Sequence, residues 1–236
     1  PVDAKPYGCG HINDTYCVCC EREGEPQRRY ILQRVNNNVF KDVPALMENM
    51  VKVTAYLRRV VIAAGGNPDR ECLTLIPTKA GEPYYTAPDS RYWRAFIFIE
   101  NAITYQTAAK PEHFYYAGCA FGRFQKLLAD YPSATLHETI PNFHNTASRY
   151  QDFEAAVAEN VSGRAADVAE EIAFVRARKD DMGILVNKLA AGELPLRVTH
   201  NDTKLNNVML DDVTSRPVCV IDLDTVMPSF IFSDYG

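Results

Sequence analysis

His200, Asp202 and Asn207 stand close together in the stretch THNDTKLNNVML, and Asp222 and Asp224 return at the end of the short apolar run VCVIDLD. NVML and PVCVI read as two strands separated by the polar DDVTSR, a hairpin in which Val208 pairs with Ile221. One further pair sets Asn207 opposite Asp222, with Cα atoms roughly 4.5 to 5.5 Å apart. An amide oxygen and a carboxylate at the open end of a hairpin, with no thiolate or paired imidazole, form a hard oxygen site. Magnesium takes such sites when water and phosphate oxygens complete its shell. Asp224, two residues beyond Asp222, is within reach as a further oxygen donor. Asp202 lies on the loop entering the hairpin, where a carboxylate can accept the proton of a hydroxyl attacking a phosphoryl group. His200 reads as structural, its ring bonding backbone and fixing the path of the loop. Either cluster alone is ordinary loop punctuation, because Asp and Asn bond their own backbone. Their joint spacing is what points to phosphoryl transfer.

Those side chains need elements to hold them. HINDTYCVCCE and RRYILQRVN are β-prone runs flanking the charged, Gly- and Pro-containing REGEPQ, which predicts a hairpin. The next segment carries Leu46, Met50, Val53, Leu57, Val60 and Val61 at helical spacing, with Asp42 as N-cap, Pro44 in the first turn and Gly65-Gly66 as the stop. CLTLIPT and YWRAFIFIE follow as two more strands, so the order is strand, strand, helix, strand, strand. After Glu100 the pattern turns helical. PEHFYYAGCAFGRFQKLLADYP places Phe114, Ala117, Phe121, Phe124 and Leu128 on one stripe, and NTASRYQDFEAAVAEN and RAADVAEEIAFVRARKDDMGILVNKLAAG continue in that style. LHETIPNFHN between them is too polar for core. The boundary falls between residues 101 and 102.

Composition narrows the partners. The 236 residues are 47% hydrophobic, enough for a packed core, and the net charge of -5 with scattered basic residues argues against a nucleic-acid partner. No apolar run is long enough for a membrane span, and PVDAKPYGCG lacks the regions of a signal peptide, so a soluble, cytoplasmic protein is expected. Seven cysteines without a framework of spacings predict reduced thiols, with Cys17 and Cys20 packed in a strand rather than holding zinc. The ending at SDYG reads as an interruption, and the chain as a fragment of a longer protein.

HNDTKLNN followed by VIDLD resembles the catalytic loop and metal segment of the aminoglycoside phosphotransferase and choline kinase group, relatives of protein kinases. With GCGHINDTY, YILQRVNNNVFKDVPALMENM, FIENAITYQ, IPNFHN and DTVMP, the chain is similar above all to the N-acetylhexosamine 1-kinase branch. The resemblance implies an α+β, protein kinase-like two-lobe fold. Residues 1–101 would be a β-rich, one-helix nucleotide-binding lobe, and 102–236 a mostly helical lobe with the catalytic and metal residues, incomplete at its C-terminus. It implies ATP as co-substrate and Mg²⁺, with Asp202 as base and Asn207 and Asp222 holding the metal. Gly8, Gly10, His11, Asn13 and Thr15 would form the turn over the phosphates, and Glu100 to Ala102 the hinge along the adenine edge. Arg34 would stand where such kinases place a strand lysine, with Glu48 as its partner. Two departures are Arg34 itself and Ser229 in VMPSF, where glycine is expected.

The acceptor has to be read from the helical half, where His144 and Asn145 are candidate contacts and Tyr and Phe residues around 114–124 offer apolar faces. The resemblance implies a sugar, an N-acetylhexosamine phosphorylated on its anomeric hydroxyl. The alternatives are a kinase of a homoserine-like alcohol, choline or an aminoglycoside, or a nucleotide-binding module without catalysis. A protein kinase is disfavoured because no Ala-Pro-Glu-like segment follows the metal carboxylate. The oligomeric state is not legible.

Overall fold

The computed structural model describes residues 1–8, 10 and 12–235. Its strands are β1 (Asp3–Pro6), β2 (Asp14–Cys20), β3 (Arg28–Val35), β4 (Leu75–Ile76), β5 (Tyr85–Thr86), β6 (Tyr92–Ile97), β7 (Ala102–Ile103), β8 (Arg197–Thr199), β9 (Val208–Asp211), β10 (Pro217–Val220) and β11 (Met227–Ser229). Its α-helices are α1 (Val43–Ala63), α2 (Pro68–Glu71), α3 (Pro111–Leu127), α4 (Thr146–Glu159), α5 (Ala169–Arg176), α6 (Ile184–Ala190) and α7 (Phe232–Tyr235). The first sheet is antiparallel, ordered β1-β2-β3-β6-β4 with β5 also on β6. The predicted hairpin is β2–β3, and β1 is a strand that the sequence reading did not separate from its Gly-containing entry.

Strand alternation decides what the first sheet presents to α1. Ile31, Gln33 and Val35 of β3 share a face, and the register sets Gln33 opposite Arg94 and Ile31 opposite Phe96. Val35 and Phe96 pack with Val43, Leu46, Met47, Met50, Val53, Leu57 and Val61 of α1 in one core, which also takes in Phe124, Leu128, Val198, Leu223 and Val226 from the later half. The Asp42 carboxylate caps α1 by accepting the Ala45 N–H at 3.0 Å, as its position before Pro44 predicts. With Met47 and Met50 essentially fully buried, truncating either to alanine would cost about 2–5 kcal/mol. Two polar residues, Gln33 and Arg94, thus sit on an otherwise apolar face.

The chain then leaves this sheet for a second one, ordered β10-β9-β7, on which α3 lays Ala117, Ala120 and Phe121 against Val208 and Leu210. The α3 stripe differs from its prediction at one end. Phe114 is exposed and His113 takes the buried place. The long helical stretch after residue 164 is broken into a 3₁₀ turn, α5, a second 3₁₀ turn and α6. The thiols of Cys17 and Cys20, three residues apart on β2, fall on opposite sheet faces, which rules out chelation by that pair. No described helix is long and apolar enough to cross a membrane.

Candidate active site

The loop after β8 is fixed from three sides. Asp234, buried in α7, accepts the N–H groups of His200 and Asn201 at 2.8 and 2.7 Å. Asn201, at φ 64°, donates its amide to Thr225 O at 2.8 Å. His200 is fully buried between the edges of Phe121 and Phe124. Its Nε2 lies 2.9 Å from Ile221 O, and its Nδ1 accepts the Asp202 N–H at 3.3 Å. A carbonyl cannot donate, so Nε2 carries the proton and Nδ1 is bare, which makes the ring neutral. Burial likewise lowers its pKa. His200 therefore bonds backbone on both sides, and Asp202 is aimed by the ring beneath it.

Asp202 is half-buried, and its Oδ2 accepts Asn207 Nδ2 at 2.9 Å and meets Lys204 Nζ at 2.8 Å. Asn207 Nδ2 also reaches Asp202 O at 2.9 Å. With its amide nitrogen so placed, the oxygen of Asn207 is turned away from Asp202. Ile221 N donates to Asn207 O at 2.9 Å, and Val208 pairs with Val220. The hairpin register is thus one residue off the predicted Val208–Ile221 pairing, because the ladder slips between Pro217 and Cys219. Asp222 is not opposite Asn207 but is the next residue after its partner, just where the strand ends.

Asp222 turns out of the strand at φ 59°, ψ 59°, a conformation rare for a residue with a side chain and common where function dictates the backbone. Asp222 as a residue is exposed, yet its carboxyl stands among enough protein atoms to be partly desolvated. That desolvation, and then the charge of Asp224, pushes its pKa up to about 6. The amide oxygen of buried Asn207 and a carboxylate that lacks hydrogen-bond donors among the described residues are the oxygen pair that Mg²⁺ would use. Asp224 differs. Its Oδ2 accepts Asn13 Nδ2 at 2.6 Å and its Oδ1 lies 2.6 Å from Arg94 Nη1, with both charged side chains almost wholly buried.

Arg34 and Glu48 do not meet. Arg34 pairs with Asp14 across β2–β3 on the sheet face away from α1, and Glu48 is exposed, bonding Lys52 at 2.5 Å and His137 at 2.7 Å. The Arg34–Glu48 pairing is not formed, because β3 alternation sends Gln33 inward and Arg34 outward. The buried α1 position next door, Asn49, instead bonds His137 O at 2.8 Å and Val226 O at 3.2 Å. Asn145 is also committed: its oxygen caps α4 on Ser148 N at 3.1 Å and its amide meets Asn142 at 3.0 Å. That makes it a helix cap with both ends of its side chain engaged. His144 does reach the loop, with Nε2 3.0 Å from Asn201 O and its ring tilted against Phe143.

The Gly-containing turn lies between β1 and β2, with Gly8 at φ 81°, where a side chain would be strained, and Tyr7 N bonding Thr15 O at 2.9 Å. His11 falls outside the described residues. Thr15 accepts Gln33 Nε2 at 3.0 Å. At the other edge, Glu100 pairs with Arg29, which lies over the Phe98 ring, and Ala102 is buried in β7. Arg70 of α2 holds the carbonyls of Glu100 and Asn101 at 2.5 and 2.9 Å and the Asp211 carboxylate at 2.6 Å. Arg70, Arg94, Lys204 and Asp234 were missed in the sequence. Only Arg94 left a signal, an arginine at an inward position between apolar neighbours in YWRAFI.

A sequence model of the phosphotransferase enzyme family matches residues 3–236. Among solved structures, the chain resembles a spectinomycin phosphotransferase in complex with ADP and spectinomycin, at 13% identity and TM-score 0.53, covering 98% of this chain and 66% of that one. It also resembles an aminoglycoside phosphotransferase from Alicyclobacillus acidocaldarius, at 14% identity and TM-score 0.61, with 98% and 64% covered. A third is an ethanolamine kinase from Plasmodium vivax, at 13% identity and TM-score 0.53, with 99% and 60% covered. At these identities the likeness is one of fold, and the chain spans 60–66% of the length of those structures.

Proposed function

Since the chain belongs to the phosphotransferase enzyme family and has its kinase-like α+β fold, we propose that it is a Mg²⁺-dependent kinase that transfers the γ-phosphoryl group of ATP to a hydroxyl of a sugar. Its acceptor on this reading is an N-acetylhexosamine and the reacting group the anomeric hydroxyl. Residues 1–101 form the nucleotide-binding half and 102–236 the catalytic half. The observation that carries the reading is the contact set of Asp202, which holds Asn207 and Lys204 on one carboxylate oxygen.

The acceptor oxygen attacks the γ-phosphorus, and its proton passes to Asp202. The bond to the β–γ bridging oxygen breaks with its electron pair leaving on ADP. Asn207 and Lys204 keep Oδ2 of Asp202 occupied, so Oδ1 is the oxygen that meets the hydroxyl. Lys204, half-exposed and two residues after Asp202, places an ammonium with further N–H groups where charge spreads over the phosphoryl oxygens. A Mg²⁺ ion on Asn207 and Asp222 supplies charge neutralisation at the phosphates when bound. Asp224, with Oδ2 on the Asn13 amide and Oδ1 ion-paired with Arg94, acts as a counter-ion and not as a ligand. Phe143 and His144 beside Asn201 supply a ring face and a polar edge of the kind that holds a sugar.

An ADP-release assay of the full-length protein with Mg-ATP, run against N-acetylhexosamines, free hexoses, choline, ethanolamine, homoserine and aminoglycosides, tests this. Turnover confined to N-acetylhexosamines with a 1-phosphate product supports it. Preference for an amino alcohol or an aminoglycoside keeps the kinase and replaces the acceptor, and binding of ATP without turnover on any acceptor replaces the kinase.

A further inference from the structure

Asp224 is the centre of a polar chain that runs through an otherwise apolar interior. On one side Asn13 donates to its Oδ2 at 2.6 Å, and Asn13 Oδ1 accepts the Asn36 N–H at 3.0 Å. On the other, Arg94 Nη1 lies 2.6 Å from its Oδ1, with the two side chains 2% and 3% exposed. Arg94 sends Nε and Nη2 to Gln33 Oε1 at 3.0 and 2.9 Å. Its Nη1 rests on the sulfurs of Met47 and Met50 at 3.8 and 3.6 Å. α1 thus offers this guanidinium thioethers and no acid, so its carboxylate partner among the described residues comes from the segment that follows Asp222.

A buried ion pair stabilises little against a hydrophobic replacement of the same volume, but it fixes the placement of whatever carries it. Here the two carriers matter. Asn13 ends the Gly-containing turn between β1 and β2, and Asp224 sits two residues past Asp222. Asn13 is therefore tied to the segment that carries Asp222 through one carboxylate, which Arg94 faces from the other side.

We propose that Asn13, Asp224 and Arg94 form a latch that ties the start of β2 to the segment after Asp222, with Arg94 and Asp224 as positioning residues for the nucleotide. The latch rests on the kinase reading given above. It assigns Asp224 a role other than metal ligation, and it gives this chain an arginine on β6 anchored to the metal-side segment where a β3 cation paired with α1 was expected.

The test uses the full-length protein and two routes to the same loss. Arg94→Met alone strands a buried carboxylate and unfolds part of the protein, so the pair is removed together as Arg94→Met with Asp224→Leu, which restores an apolar interior. Asn13→Ala removes the other arm at a position near the surface. Both variants should melt within a few degrees of wild type. Both should weaken ATP binding by about tenfold, the equivalent of one charge-assisted hydrogen bond, and raise KM for ATP more than they lower kcat. Combined, they should weaken it no further than either alone, because they break one link. The Mg²⁺ concentration for half-maximal rate at saturating ATP should stay unchanged.

Wild-type ATP affinity in Asn13→Ala overturns the latch, as does a combined variant whose losses multiply. A raised Mg²⁺ requirement confined to the variant lacking Asp224 returns that residue to the metal. If the wild type itself neither binds ATP nor releases ADP, the kinase reading has failed, an outcome distinct from a working kinase that ignores Asn13→Ala.

Discussion

Asn207 and Asp202 are joined twice: one amide nitrogen reaches both the carbonyl and the Oδ2 of Asp202, each at 2.9 Å. The bond pair fixes the amide orientation of Asn207 and leaves Asp202 with one engaged and one open carboxylate oxygen. Asp202→Asn keeps the shape and can still be held by the loop, but it no longer accepts a proton. Turnover should fall by about 10²–10⁴-fold with ATP affinity kept, as measured by ADP release and a nucleotide titration side by side. Equal turnover removes Asp202 from the role of base.

Asp222 has no such scaffold of bonds, and its strained backbone and raised pKa are what one expects of a carboxylate waiting for a cation. Asp222→Ala should therefore weaken Mg-ATP binding by more than the roughly 10–100-fold typical of outer-shell changes at metal sites. It should leave ATP binding in EDTA as in the wild type. Isothermal titration with and without Mg²⁺ reads the difference, and identical curves for wild type and variant in Mg²⁺ would count against the ligand assignment.

Lys204 is the cation nearest the proposed base, at 2.8 Å, and nearly half of its side chain is exposed. Its ion pair is too solvated to stabilise the fold much. Lys204→Met should leave the melting temperature within a degree or two and lower kcat by about 10²–10³-fold, the scale of losing one donor to developing charge. A variant that loses stability but not kcat would reduce Lys204 to a surface ion pair.

Arg34 provides the contrast. It pairs with Asp14 on the outer sheet face, with each side chain 40–46% exposed. Arg34→Ala should change stability by no more than about 1 kcal/mol and leave KM for ATP where it was. A rise in KM would mean that the arginine reaches the phosphates after all.

What the sequence made legible follows physical range. The α1 stripe and its Asp42 cap are set by residues a few positions apart, and both are present. So are the β2–β3 hairpin and the structural role of His200, whose ring bonds backbone nearby in the fold. The hairpin register failed by one residue because a ladder slip between Pro217 and Cys219 has no period to announce it. Alternation on β3 alone puts Gln33 and Arg34 on opposite faces, but charge alone does not say which of them faces inward. Arg94 and Asp224, and Asp234 with the His200 loop, are pairs of residues distant in sequence, and nothing local tells an inward arginine which carboxylate it will meet.

The neutral His200 ring makes stability depend on pH. Nε2–H is donated to Ile221 O, and Nδ1 accepts from Asp202 N–H, so a second ring proton would face a donor. Burial also lowers the folded pKa below the ordinary value of 6.5. Below about pH 6.5 the unfolded chain takes up the proton and the folded one does not. The stabilisation is thus intact above that pH and declines as pH falls toward the folded pKa, by at most about 1.4 kcal/mol per pH unit for one proton. Melting temperatures between pH 5 and 8 should drop on the acid side, and His200→Gln, though less stable throughout, should show a shallower drop. Parallel pH profiles for the two proteins would mean that another group takes up the proton, and the loop beneath Asp202 would then owe its acid sensitivity to something other than this imidazole.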